Sequence, residues 1–164
     1  LITFKGLYAN MTSEIFSPTP DCEIVISRIV NASIETVFTA WSDSKHLASW
    51  WGLAGFTNTF EEFDFRVGGK WKFMMHGPEK GNYPNECVFI KIEKPTLIAW
   101  NRISKPIFQV VATFEEISAD RTKILFKMIF HSAEEWNKVK KFAVGKNEEN
   151  FDKLEKVLMR MSTG

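Results

Sequence analysis

Cysteine, tyrosine, net charge and long apolar runs are all scarce in this 164-residue chain. Two cysteines, Cys22 and Cys87, are too few for a disulfide-dense scaffold or a cysteine-rich zinc site. Lys and Arg number 21 against 20 Asp and Glu, a formal charge of +1. That balance gives no electrostatic footprint for nucleic acid or an anionic membrane. No uninterrupted apolar run approaches the roughly 20 residues of a membrane helix. Catalytic signatures are equally thin: there is no HExxH, no Gly-x-Ser-x-Gly, no P-loop and no Gly-x-Gly-x-x-Gly. No metal, cofactor or catalytic residue is assigned. The two thiols, with no Lys, Arg and His cluster beside them in sequence, read as unreactive and suit a cytoplasmic, reducing compartment.

What the chain does have is apolar bulk. Phe and Trp supply 15 and 6 residues against 2 Tyr, within a composition that is 45% apolar and 25% charged. That is a globular composition with a large aromatic interior. Residues 1–20 read as a flexible lead-in, poor as a secretory signal and closed by the stiff Ser17-Pro18-Thr19-Pro20. Met11 is a candidate initiator. Residues 21–164 read as one domain.

The domain opens with a strand over Glu23–Val30, then a helix capped by Ser33 with Ile34, Val37, Phe38 and Trp41 at helical spacing. Ser42-Asp43-Ser44 opens a second short helix carrying Leu47, Trp50 and Trp51, ended by Gly52 and Gly55. The middle is strand by pattern. Phe56 to Phe65 alternates in part, and Gly68-Gly69 turns the chain. That pair is no phosphate cradle, because a strand follows it where a helix would be needed. Trp71, Phe73 and Met75 then share one face, with Lys70, Lys72 and Met74 on the other. After a loop at His76–Gly81 come strands over Cys87–Lys94, Leu97–Asn101, Phe108–Ile117 and Lys123–Phe130. Ser132 caps a long final helix with Glu134 and Glu135 in its first turn. Its Lys138, Lys140, Lys141 and Lys146 are balanced by Glu134, Glu135, Glu148 and Glu149, a solvated face. This order suits an α+β arrangement: an antiparallel sheet around one long helix, with two short helices.

An ordered series of short motifs carries a family resemblance. It runs Lys45-His46-Leu47-Ala48-Ser49-Trp50-Trp51-Gly52, Gly55-Phe56-Thr57, Gly68-Gly69-Lys70-Trp71-Lys72-Phe73, His76-Gly77-Pro78 and Tyr83-Pro84, then Thr113-Phe114-Glu115-Glu116 and Phe151-Asp152-Lys153-Leu154. Over about residues 22–160 the chain resembles the family named after the activator of the heat-shock-protein-ninety ATPase, in its homologue-like branch. That branch belongs to the START-related SRPBCC superfamily. The resemblance implies the helix-grip fold of the birch-pollen allergen, with a curved sheet, a deep cavity against the last helix, and often a homodimer. Superfamily members hold lipids, sterols, flavonoids or polyketides, and a few do chemistry. It also places the second short helix near the cavity mouth, with one of Trp50 and Trp51 as anchor and the other as gate.

On the long helix one stripe contains Trp136, Val139, Ala143, Asn147, Asn150, Phe151, Leu154, Leu158 and Met161. Two amides stand where a packed core would want Leu or Ala, and a buried amide without a partner costs roughly 1–3 kcal/mol. They are either satisfied core groups or cavity lining. The resembled family often has Trp where this chain has Asn147, a departure that implies a roomier, more polar cavity. Trp71, Phe73 and Met75, with Phe126 and Met128, are likewise core or cavity wall. The candidate ligand-binding set is Trp51, Trp71, Phe73, Met75, Phe126, Met128, Asn147, Asn150 and Phe151. Its expected ligand is a small hydrophobic molecule. Two alternatives stay open: a cyclase- or hydrolase-like enzyme using His76 or His131 as proton carrier, and a cochaperone-type interaction through the outer sheet face. His46, Glu61, Glu62 and Asp64 read as solvated.

Overall fold

The computed structural model describes residues 22–52 and 55–163. The expected lead-in, residue 164 and the side chains of 141–146, which include Ala143, Lys141 and Lys146, lie outside the described residues.

Helix boundaries follow from side chains that accept orphan backbone N–H groups. After strand β1 (Glu23–Val30), Ser33 Oγ accepts from Thr36 N at 3.2 Å and starts α1 (Ile34–Ser42). Asp43 Oδ1 accepts from Lys45 N at 3.0 Å and His46 N at 3.3 Å, starting α2 (Ser44–Trp50). Ser132 Oγ accepts from Glu135 N at 3.2 Å and starts α3 (Ala133–Thr163). Between α2 and α3 run β2 (Thr57–Phe63), β3 (Lys70–His76), β4 (Asn82–Glu93), β5 (Leu97–Arg102), β6 (Phe108–Ser118) and β7 (Arg121–Ile129). They form one seven-stranded antiparallel sheet in the order β1-β7-β6-β5-β4-β3-β2.

Several strand boundaries differ from the sequence expectation, β4, β6 and β7 by one residue at their C-terminal ends, Glu93, Ser118 and Ile129. β4 begins at Asn82 rather than Cys87, because Pro84 is tolerated inside it: Pro84 pairs with Met74 on β3, while pairing to β5 starts only at Cys87 opposite Arg102. β5 extends to Arg102, and β7 begins at Arg121. The broken alternation of Phe56 to Phe65 is a β-bulge between Phe60 and Glu62. The extra residue lets Phe60, opposite Phe73, and Phe63, opposite Trp71, face the same side and stack at 5.7 Å. A turn after β2 depends on Gly69, since a Cβ there would run into the Asp64 carbonyl.

All three helices pack against one sheet face, where alternate residues such as Ile98, Trp100, Val110, Ala112, Phe126 and Met128 are buried. A smaller cluster of Ile90, Ala99, Val111 and Ile129 lies on the other face. Helix α3 is tied to β1 by Arg28, which donates to Glu148 Oε2 at 2.5 Å and Asp152 Oδ1 at 2.8 Å, with its Cζ 5.6 Å from the Phe151 ring. Burial lowers the pKa of Arg28, but the bonds to Asp152 and Glu148 outweigh it and leave a net rise. Trp136 Nε1 donates to Glu23 O at 2.9 Å at the helix start.

Two neighbouring indoles offer an internal control. Trp50 Nε1 donates to Ala40 O at 2.9 Å, whereas Trp41 Nε1, also buried, has no partner among the described residues. Trp50→Phe therefore strands a carbonyl and is expected to cost about 1–2 kcal/mol more than Trp41→Phe, which removes a donor already unpaired. Urea denaturation of the two variants measures the difference.

Candidate functional site

Where the aromatic packing stops, a cavity of about 140 Å³ remains between the sheet and α3. Its floor is the concave sheet face, with Phe73 and Met75 from β3, Trp100 from β5, Val110 from β6, and Phe126 and Met128 from β7. Trp51 and Gly52, just past α2, stand at one side, and Asn147 and Asn150 face the sheet from α3. Trp51, Met75 and Asn147 are only half-buried, so the recess reaches solvent.

Seven of the nine candidate residues line this cavity: Trp51, Phe73, Met75, Phe126, Met128, Asn147 and Asn150. Trp71 and Phe151 do not. Trp71 is fully buried, stacked on Phe73 at 4.5 Å and lying 5.4 Å from Trp51 and 5.3 Å from Trp100. Phe151 is buried edge-on to Phe126 at 5.7 Å and beneath Arg28. Period-2 and period-3.6 reasoning selects the correct faces, but which ring on a face meets empty space depends on neighbouring strands. Trp50 is the fully buried anchor of α2, while Trp51 stands at the cavity.

Two amides on one helix have different surroundings. Asn147 Nδ2 lies 3.3 Å from Met128 Sδ. Asn150 is 7% exposed, and its Oδ1 has no hydrogen-bond partner among the described residues. A buried amide oxygen left in this way carries most of its desolvation cost uncompensated.

The polar end of the cavity was not legible from the helix stripe. Asn85, Cys87, Arg102 and Phe108 line it as well. Ile98, Trp100 and Arg102 alternate along β5, so a guanidinium occupies the inward position that follows two apolar ones. Extending that alternation by one step past Asn101 was the available signal. Arg102 Nη1 donates to Asn85 Oδ1, Nε to Pro106 O at 3.0 Å, and Nη2 to Lys105 O at 3.1 Å. Asn85 is held in turn by donating to Tyr83 O at 2.8 Å. Burial pushes the Arg102 guanidinium below its ordinary value.

The mouth is shaped by Gly52, at φ +105°, where a Cβ would sit 2.6 Å from Met75 Cε. Asn58 donates its amide to Trp51 O, and Lys153 Nζ reaches Gly52 O and Phe56 O at 3.4 Å each. Burial lowers the pKa of Lys153.

None of the three histidines lines the cavity. His76 has Nε2 2.8 Å from Thr59 Oγ1 and Nδ1 2.8 Å from Asn82 Oδ1. His131 is exposed, and partial burial of its ring lowers its pKa. His46, expected to be solvated, is half-buried in a groove between α2 and α3 with Ser49, Arg160 and Met161. Glu61 and Glu62 are exposed, and Asp64 pairs with Arg66 at 2.8 Å. No group of His, Cys, Asp and Glu among the described residues could hold a metal ion, and no described helix is long and apolar enough to cross a membrane.

Burial pushes the Cys87 thiol up to about 12, with the nearby Arg102 pulling weakly the other way. Its folded value exceeds the ordinary 9.0, so the stability contributed by the protonated thiol is complete below pH 9 and is lost as pH rises toward 12. Iodoacetamide at pH 8 is expected to alkylate half-buried Cys22 and spare Cys87 until the protein is denatured, as read by peptide mass spectrometry. The fall in melting temperature above pH 9 should be shallower in Cys87→Ala.

Comparison with known proteins places this geometry in a family. Residues 31–159 match the family model described as activator of Hsp90 ATPase homolog 1-like protein. Among solved structures, a protein from Nitrosomonas europaea is 15% identical with a TM-score of 0.81, covering 89% of this chain and 99% of its own. One from Arthrobacter aurescens is 21% identical with a TM-score of 0.80, covering 92% and 93%. An AHSA1-like protein from Aeromonas hydrophila is 17% identical with a TM-score of 0.68, covering 87% and 95%. At these identities the likeness speaks for the fold alone. A search of proteins with curated function finds no match. The motif series, the sheet wrapped on its long last helix and the family model agree, and the chain belongs to the activator of Hsp90 ATPase homolog 1-like family, with the helix-grip fold.

Proposed function

We propose that this domain binds a small, mostly apolar organic molecule in the cavity between the sheet and α3. The observation that carries the reading is Asn150: an amide 7% exposed, with an unpartnered Oδ1, on the wall of an otherwise largely apolar cavity. A ligand donor would satisfy that oxygen, while burial of the ligand's apolar surface supplies affinity at about 25 cal/mol per Å². The volume of about 140 Å³ suits a compact body, close to the ~150 Å³ space that accepts benzene in an apolar protein core. The polar lining at Asn85, Arg102, Asn147 and Asn150 favours a molecule with polar substituents. Two free thiols fit a reducing, cytoplasmic setting for this activity. The cyclase- or hydrolase-like alternative would route a proton through His76 or His131, and neither lines the cavity, so the proposal is binding without turnover.

Native mass spectrometry of the purified protein, followed by denaturation, is expected to release a stoichiometric small molecule. If the protein is empty, Asn150→Leu is expected to raise its stability to urea by about 1 kcal/mol, because an unpaired amide is replaced by an apolar group of similar size. It should also weaken binding of a neutral probe such as benzyl alcohol. A loss of stability in Asn150→Leu, with no probe bound by the parent protein, would make the amide a satisfied core group and end the binding reading.

A further inference from the structure

We infer that the ligand of this cavity carries a carboxylate, and that Arg102 is its anchor. The inference rests on the cavity being a small-molecule site and concerns which chemistry it takes.

Arg102 stands on the concave face of β5, opposite Cys87 on β4 and Phe108 on β6. Arg102 is half-buried at one end of the cavity, and a cation drawn partly out of water is commonly met by a carboxylate. Arg102 forms no ion pair among the described residues. Glu86, the carboxylate that precedes Cys87 on β4, points to the opposite face, where it pairs with Lys70 at 3.6 Å. Three neutral acceptors hold the guanidinium instead: Asn85 Oδ1, Lys105 O and Pro106 O.

These acceptors fix the side chain without neutralising it. A guanidinium has five N–H donors, and three are used, which leaves donors on Nη1 and Nη2 for a ligand. The Phe108 ring, 5.7 Å from Arg102 Cζ, supports the plane. Burial alone accounts for the lowered pKa of Arg102. Among the described lining residues Arg102 is the one group charged at neutral pH, since burial keeps Cys87 protonated. One positive charge matches a monoanion. A planar carboxylate fits the guanidinium fork. The bound molecule is thus an apolar body with its acid group on the free Nη1 and Nη2 donors of Arg102 and its remaining polar substituent toward the α3 amides.

Isothermal titration calorimetry at pH 7 on the full chain, with benzoate and benzyl alcohol as probes, tests this. Benzoate is expected to bind about tenfold or more tightly than benzyl alcohol. In folded Arg102→Gln that preference is lost: the ratio of benzoate to benzyl alcohol affinity is expected to fall to about one. Arg102→Lys keeps the charge without the fork and recovers part of it. Benzyl alcohol binding as well as or better than benzoate to the unsubstituted protein overturns the carboxylate inference and leaves the binding reading standing. That comparison needs no variant to fold. A benzoate preference that survives in folded Arg102→Gln removes Arg102 as the anchor. Failure of both probes to bind ends both readings together.

Discussion

Five tryptophan rings meeting across the helix–sheet boundary are the constraint on which the rest of the structure depends. Trp41 of α1 lies 4.7 Å from Trp50 of α2. Trp51 lies 5.4 Å from Trp71 and 5.6 Å from Trp100, which are 5.3 Å from each other. Indoles bury large areas with few rotatable bonds, so a cluster of them joins two short helices to a sheet at little entropic cost. Phe60, Phe63 and Phe89 continue the packing away from Trp71. The cavity begins on the other side of the cluster, where Trp51 and Trp100 present surfaces that no further ring covers. The aromatic excess thus has two uses. Most of it fills the interior, and its margin forms a wall.

The cavity is polar where it departs from that margin. The α3 amides face it from the helix and the Asn85–Arg102 pair from the sheet, with apolar side chains between them. Of these groups Asn85 and Asn150 are buried, and Asn150 Oδ1 has no hydrogen-bond partner among the described residues, whereas Asn147 and Arg102 are half-buried.

Much of the fold was legible because its determinants are local. Ser33, Asp43 and Ser132 accept backbone N–H groups within three residues of themselves, and the sequence order of strands and helices is the order observed. The boundaries that shifted depend on a neighbour. Pro84 can sit in β4 only because β5 does not reach it, and the spacing of Phe60 and Phe63 needs a bulge that β3 defines. The site was legible in part for the same reason. Asn147 and Asn150 stand out against an apolar helix stripe, while Arg102 looks in sequence like the polar end of a strand.

What the sequence by itself determined is the set of elements, their faces and the placing of two amides among apolar residues, because periodicity and capping act over a few residues. Only the tertiary structure decided which side chains on those faces meet a partner and which meet space. Trp71 and Phe73 are two residues apart on one strand face, yet Trp71 is enclosed by rings from three other segments and Phe73 borders the cavity. Arg102 became a cavity group because β4 and β6 set Cys87 and Phe108 beside it. Such differences arise from contacts between residues far apart in the chain, and packing in three dimensions is where they are settled.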